Sequence, residues 1–229
     1  MITTNVIHRV VQIKINGTSG TCFTFELGNR QYIITARHIA SSITGKYVIE
    51  IFHENQWKKM NVILVGHGLG DIDITVLSAD VQVSPTYPMK PISKSTTINY
   101  GQDVYFLGFP YGMYAEVGEI NSDFPLPFVK KAILSCLYKN KQNEHLLYLD
   151  GYNNPGFSGG PVVYLPENST EFCVASVISG FRFQREPVFQ GEQAIPLEYK
   201  HNTGIIVSYG IEHAIELIIN NPIGYSLET

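Results

Sequence analysis

The chain is poor in charge, in cysteine and in long apolar runs. Only 16% of its 229 residues are Asp, Glu, Lys or Arg, and the formal net charge is -4. No basic stripe or long charge run occurs, so nucleic acid is not a favoured partner. With 44% apolar residues the chain is still far too hydrophobic to stay disordered. No window reaches the roughly 18 apolar residues of a membrane span. The opening MITTNVIHRVVQIKING has no basic segment followed by a long apolar stretch, so no membrane partner and no secretory leader are expected. Cys22, Cys136 and Cys173 are odd in number and far apart, which excludes a disulfide framework and a CxxC zinc motif. Buried free thiols and a cytoplasmic location follow as expectations. Apart from His38, the histidines (His8, His53, His67, His145, His201 and His213) lack metal-ligand spacing, and no metal or cofactor is expected.

Short β-branched and aromatic runs separated by turn residues make up most of the chain. Fourteen tyrosines and 12 phenylalanines fit strand-rich structure. Val6–Ile15 reads as a strand, followed by TCFTFEL, QYIIT, KYVIEIF, WKKMNVILVG, DIDITVL, DVYFLG, FVKKAILSCLY, HLLYLD, PVVYL, EFCVASVISG and TGIIVS. Their spacing is that of a sandwich or barrel. Helical signals are few. HIASSI suits a single turn. GIEHAIELIINN (Gly210–Asn221) places Ile211, Ala214, Ile215 and Ile218 on one face, and Pro222 ends it. An all-β fold with a C-terminal helix is expected, since parallel βαβ units have no room for their helices. No repeat or flexible linker divides the chain.

NNPGFSGGPVV, Asn153 to Val163, sets a serine among glycines and prolines directly before a β-branched run. A serine hydroxyl is a weak nucleophile at neutral pH. It needs a base, a group to orient that base, and backbone N–H donors for the developing oxyanion. The glycines let the chain fold tightly enough for the amides of Gly156 and Ser158 to serve as those donors. GFSGG also fits the G-x-S-x-G elbow of α/β-hydrolases. That elbow needs a helix after the serine and a later acid and histidine. Here Gly-Gly-Pro-Val-Val follows, and no aspartate occurs after Ser158. The opposite order, His then Asp then Ser, is available. His38 ends the strand YIIT in YIITARHIA, and Asp73 stands at the head of a buried run in DIDITVL.

In these three segments the sequence resembles the trypsin-like (chymotrypsin-fold) serine peptidases, most closely bacterial HtrA-like peptidase domains. Thr35-Ala36-Arg37-His38 is similar to their histidine segment and Asp73-Ile74-Thr75-Val76-Leu77 to their aspartate segment. Gly156 to Pro161 is similar to their serine segment, with Asp150, Asn154 and Pro155 also agreeing. GFPYG (Gly108–Gly112) looks like another turn of that group. The resemblance implies two six-stranded antiparallel Greek-key β-barrels with a C-terminal helix. One peptidase domain would span 1–229, its first barrel at about 1–95 carrying His38 and Asp73. The second barrel, at about 100–209, would carry Ser158, and the helix would lie at about 210–221. It implies an endopeptidase acting on peptide or protein through His38, Asp73 and Ser158, with Gly156 and Ser158 as oxyanion donors. Tyr152, Ser179, Gly180 and Phe181 would contact substrate, the last three as a strand to which substrate adds. Asp71 competes with Asp73, but it would put a charge at the third position of the buried run, and it is expected to be a solvated turn residue.

The chain departs from the family pattern at Phe157, where digestive members carry an aspartate that binds the ammonium created by zymogen cleavage. No activation by a new N-terminus is therefore expected, and removing residues 1–9 should not switch on activity. The oxyanion hole must be set otherwise, with packing of Phe157 into the core as one route. Ile39 stands where many extracellular members carry a disulfide cysteine, which fits a reducing compartment. No PDZ-type domain is expected after the last helix. No acid lies near the pocket floor, and the bulk of Tyr152 and Phe181 favours small or apolar side chains. Asn16-Gly17-Thr18 and Asn168-Ser169-Thr170 fit a glycosylation pattern that matters only in a secreted chain. The rival readings are an inactive barrel that binds peptides by strand addition and a hydrolase of small esters. A solitary protease also needs restraint, and a regulatory protein partner is one form of it that the sequence does not name.

Overall fold

The computed structural model describes residues 2–85, 90–91, 98–116, 121, 123–141 and 143–227. The boundary expected near residues 95–100 falls partly outside them. The first sheet is built from β1 (Val10–Ile15), β2 (Thr18–Leu27), β3 (Arg30–Thr35), β4 (Lys46–His53), β5 (Gln56–His67) and β6 (Thr75–Ala79). It runs in the order β3-β2-β1-β4-β5-β6, and β6 returns to β3 and closes a barrel. After β7 (Lys90–Pro91), the second sheet is built from β8 (Asp103–Gly108), β9 (Phe128–Lys139), β10 (His145–Asp150), β11 (Pro161–Tyr164), β12 (Cys173–Gln190) and β13 (Gln193–Gly210). Its order is β11-β8-β9-β10-β13-β12, with β12 returning to β11 to complete a ring. β7 joins β12 in parallel, and β14 (Tyr225–Ser226) adds to β3 outside the first barrel. The fold is thus the all-β double barrel expected.

Alternation along the strands separates two cores. In β2, Cys22 faces the interior of the first barrel with Val11, Ile13, Ile33, Ile49 and Leu77, whereas Phe23 and Phe25 face the opposite way. There they join Phe106, Leu107, Phe157, Val162 and Val177 in one cluster that runs from the first barrel through the second. The two sheets therefore share a continuous apolar contact, and residues on their facing strands are held in fixed relation. Burial pushes the Cys22 thiol pKa up to about 12, so it stays protonated and unreactive.

Two expectations are corrected. Val6–Ile15 is not one strand: Thr4–Ile7 forms a short helical turn, α1, and β1 begins at Val10. Val6 is buried in the core, and Arg9 is buried and paired with Glu26. The two strands expected in EFCVASVISG and TGIIVS are much longer. β12 and β13 continue outward as a two-stranded arm joined by a two-residue turn at Gly191-Glu192. Pro187 and Pro196 lie in this arm, and its residues are mostly exposed, which is why neither a proline-free run nor a buried alternation announced it.

The single turn α2 (Arg37–Ala40) and the C-terminal helix α3 (Glu212–Asn220) fall where the sequence placed them. α3 carries His213, which is buried and accepts a hydrogen bond at Nε2 from the His145 N–H (2.9 Å). Burial lowers its pKa, with His145 acting in the same sense and Glu212, Glu216 and Glu144 opposing. Because the folded pKa lies below the ordinary 6.5, the unfolded chain takes up this proton first. The stability held above about pH 6.5 is therefore lost as pH falls towards the folded value. The drop in thermal midpoint between pH 7 and pH 5 should be smaller in His213→Gln, read by circular dichroism. An unchanged drop would remove His213 as its cause.

Candidate active site

Each candidate side chain leaves the end of a strand where the two sheets meet. β3 ends at Thr35, and the turn α2 then presents His38. Arg37 fastens this turn to the loop ahead of β6 by donating to the carbonyls of Gly68 and Gly70, each at 2.9 Å. The same loop brings Asp73 to His38. Asp73 Oδ1 accepts the His38 backbone N–H and Oδ2 accepts His38 Nδ1–H, both at 2.7 Å. Two bonds to one carboxylate fix the position and the plane of the ring. With Nδ1 carrying the proton, Nε2 is left with its lone pair. Asp71 contributes only its backbone N–H among the described bonds, to Glu144 Oε1 in the turn before β10 (3.1 Å), and its residue is exposed.

Ser158 lies across from this pair, and Ser179 connects them. The Ser179 hydroxyl donates to Asp73 Oδ2 (2.6 Å), and its carbonyl accepts the Ser158 hydroxyl (3.0 Å). Ser179, expected to touch substrate, thus also braces the carboxylate. In this structure the Ser158 hydroxyl points to Ser179 rather than to His38, so a turn about its Cα–Cβ bond is needed before His38 can take its proton.

The backbone around Ser158 is tied down by groups the sequence did not single out. Thr21, fully buried on β2, donates its hydroxyl to the Gly156 carbonyl (2.7 Å) and its N–H to the Ser158 carbonyl (2.9 Å). The Tyr111 N–H holds the Pro155 carbonyl (2.8 Å), from a GFPYG turn in which Tyr111 adopts φ +54°. In a trans peptide the N–H opposes the C=O, so the Gly156 N–H is directed away from Tyr111. Among the described residues, neither the Gly156 nor the Ser158 N–H has a protein acceptor. Phe157 is fully buried, with its ring 4.9 Å from that of Phe106 in an edge-on contact. An apolar anchor thus stands where an ion pair was lacking. A Thr on a strand carries no signal of such a role, so Thr21 was not foreseeable.

Gly159 has φ +83°, and a Cβ there would lie 2.1 Å from the Thr21 carbonyl and 2.4 Å from Thr35 Oγ1. Gly159→Ala combines a left-handed backbone with overpacking. It should cost about 3–5 kcal/mol, seen as a fall of about 10 °C in thermal midpoint. A midpoint within about 2 °C of wild type would show that this crossing is not tight.

The proposed substrate contacts spread along one side. Tyr152 is 57% exposed, and its carbonyl is held by the Lys130 ammonium, which also donates to Asn154 Oδ1 (3.1 Å). Gly180 has open space where a Cβ would be, and its carbonyl accepts Asn153 Nδ2 (3.1 Å). Asn153 is buried, with Oδ1 unpartnered among the described residues, while its carbonyl takes Asn202 Nδ2 (2.7 Å). Phe181 is half-buried and pairs with Ile206 on β13.

Residues 19–168 match the sequence profile of the trypsin-like peptidase domain. The chain belongs to the trypsin-like peptidase family. Membership supports a protease function in general terms. Among solved structures, an inactive serine-to-alanine form of the Rv3671c protein from M. tuberculosis is 13% identical, with a TM-score of 0.59. It covers 95% of this chain and 88% of its own. The HtrA-type protease AlgW, solved with a tripeptide, is 18% identical with a TM-score of 0.61 and covers 94% of this chain. The present chain spans 60% of that protein's length. At these identities the likeness is one of fold. No curated protein matches the chain in sequence. For this trypsin-like peptidase, the profile includes all three segments that carry His38, Asp73 and Ser158.

Proposed function

We propose that the protein is a serine endopeptidase that cleaves peptide bonds through an acyl-enzyme formed on Ser158. The observation that carries this reading is the continuous chain of contacts from Ser158 through Ser179 to Asp73 and His38. In the reaction the Ser158 hydroxyl swings to His38 Nε2, gives up its proton and attacks the scissile carbonyl carbon. The oxyanion is received by the N–H groups of Gly156 and Ser158. His38 returns the proton to the leaving amine, and Asp73 holds the imidazolium. Water, activated by the same nitrogen, then releases the acyl group. The substrate is peptide or protein, with a small or apolar side chain before the cleaved bond.

Several features favour a working enzyme over an inert peptide-binding barrel. Among the described residues the two oxyanion amides lack protein acceptors, and every flanking carbonyl with a described partner is turned to a fixed group. The absence of a cleavage-made ammonium is met by Thr21, Tyr111 and the buried Phe157. Residues 2–9 include buried Val6 and Arg9, so trimming them would remove packing rather than release a switch. A cytoplasmic location belongs to the same proposal, supported by three cysteines of which none forms a disulfide. Among the described residues, no helix is long and apolar enough to cross a membrane.

A fluorophosphonate probe tests the reading. Covalent label should be recovered by mass spectrometry on the peptide containing Ser158. No label, or label elsewhere, would sink it. A peptide-library profile then separates an endopeptidase from an esterase, which would leave every peptide intact.

A further inference from the structure

The two halves of the candidate site come from different sheets. His38 and Asp73 flank strands of the first, while Ser158 and Ser179 belong to the second. One half must be kept in register with the other, because a displacement of about 1 Å can cost about a hundredfold in rate. The loop that carries Asp73 is compact. The Gly68 N–H donates to the Ile74 carbonyl (2.8 Å) and the Ile72 N–H to the Leu69 carbonyl (3.1 Å). Arg37 grips this loop, but Arg37 adjoins His38 and belongs to the same half. Among the described hydrogen bonds, two reach the loop from the second sheet and its turns. One is the Ser179 hydroxyl on Asp73 itself. The other is Glu144, whose Oε1 accepts the Asp71 N–H.

Glu144 is set for this by its own turn, which joins β9 to β10. The Asn140 N–H donates to the Glu144 carbonyl (3.2 Å), and the Glu144 N–H donates to Asn140 Oδ1 (2.9 Å). Asn140 Nδ2 donates to Glu144 Oε2. With its backbone and Oε2 held, Glu144 presents Oε1 to the loop. Gly70, at φ +57°, lets the carboxylate approach, since a Cβ there would lie 2.9 Å from Oε1. Glu144 is only 7% exposed, and burying a carboxylate is costly. Its described side-chain partners, a backbone N–H and an amide, carry no charge. It also sits among like charges. Burial pushes the Tyr209 pKa up to about 12, and Asp73, Glu144 and Asp71 all add to that rise. A carboxylate kept in such surroundings needs a reason beyond packing.

We propose that Glu144 is a positioning residue for the reaction. By holding the Asp71 N–H, it registers the Asp73–His38 pair of the first sheet against Ser158 of the second. It acts through the loop and not on substrate. This inference rests on the peptidase reading above.

The test compares variants on one library peptide. Glu144→Ala should lower kcat about ten- to a hundredfold, with KM within about twofold of wild type. The His38 Nδ1 proton, moved far downfield by its short bond to Asp73, should give an NMR signal in wild type that weakens in the variant. Glu144→Gln leaves a donor facing either the Asp71 N–H or Asn140 Nδ2, whichever way its amide turns, so it should also be slow. Adding Asn140→Asp supplies the missing acceptor, and E144Q/N140D should return to within about threefold of wild-type kcat. A fall in thermal midpoint with kcat and the His38 signal unchanged makes Glu144 merely structural and overturns the proposal. So does a rise in KM without loss of kcat, or a folded E144Q/N140D no faster than E144Q. Should the variants not fold, hydrogen exchange in wild type decides: the Asp71 amide should be protected, and exchange as fast as that of an open loop overturns the proposal. All of these leave the peptidase reading standing if wild type takes the fluorophosphonate label on Ser158. Absence of that label in wild type defeats the peptidase reading, and the proposal with it.

Discussion

Ser158→Ala is expected to lower kcat by about six orders of magnitude, while KM and thermal midpoint change little. The reasoning is local. The Ser158 hydroxyl has one described partner, the Ser179 carbonyl, and it is only partly buried, so its loss leaves no enclosed polar group stranded. The carbonyls of Gly156 and residue 158 keep their ties to Thr21, and that of Pro155 its tie to Tyr111, so the two N–H groups stay where they are. What remains after the change is binding and oxyanion stabilisation, which on their own still give roughly 10³–10⁴-fold over water. Steady-state hydrolysis of the best library peptide, with the midpoint from calorimetry, is the measurement. A variant that keeps more than about a thousandth of wild-type kcat would mean that another group performs the attack.

Asp73→Asn should reduce kcat by about 10⁴. The Asp73 carboxylate accepts three hydrogen bonds, from the His38 backbone, His38 Nδ1 and the Ser179 hydroxyl. An amide keeps the shape but replaces one acceptor with a donor. The ring then carries its proton on the nitrogen facing Ser158, where a base is needed. Asp71→Asn is the matched control. Its side chain is exposed, and its only described bond is through the backbone N–H, which the substitution leaves in place. Its kcat should stay within about twofold of wild type. Comparable losses in both variants would show that the loop, rather than the Asp73 carboxylate, is what matters.

The residues proposed to carry chemistry stand out in the sequence because reactive geometry demands unusual local composition. Glycines at 156, 159 and 160 are needed where backbones cross closely, and Gly156 and Gly159 adopt positive φ. A Gly-rich stretch against a valine run is visible in any reading. The choice of Asp73 over Asp71 followed from the resemblance of Asp73-Ile74-Thr75-Val76-Leu77 to the family's aspartate segment, with apolar Ile74 and Val76 behind it, and the structure brings Asp73 to His38. Thr21 was not legible. Its importance comes from a hydroxyl that reaches 135 residues along the chain, and nothing in TCFTF distinguishes it from a buried strand threonine. The arm escaped for the opposite reason. Its strands are stabilised across the ribbon by pairs such as Lys200 with Phe183 and Tyr199 with Glu186, not by burial of one face. Hydrophobic periodicity reports burial, so an element without a buried face leaves little trace. The start of the chain was misread because β-branched Val6 and Ile7 favour a strand locally, whereas the structure turns there and buries Val6.

The packing of Phe157 has a consequence for how such an enzyme is stored. Where an oxyanion hole waits for a severed chain end, a cell can stockpile the intact protein and release it later. Here the anchor is a ring buried by the same collapse that forms the second barrel, and its neighbours are held by bonds internal to the fold. On the proposed peptidase reading, reaching the native state and acquiring the site would be one event, with no chain cleavage needed to seat the anchor. Control of dose would then fall to synthesis and removal rather than to a cleavage event.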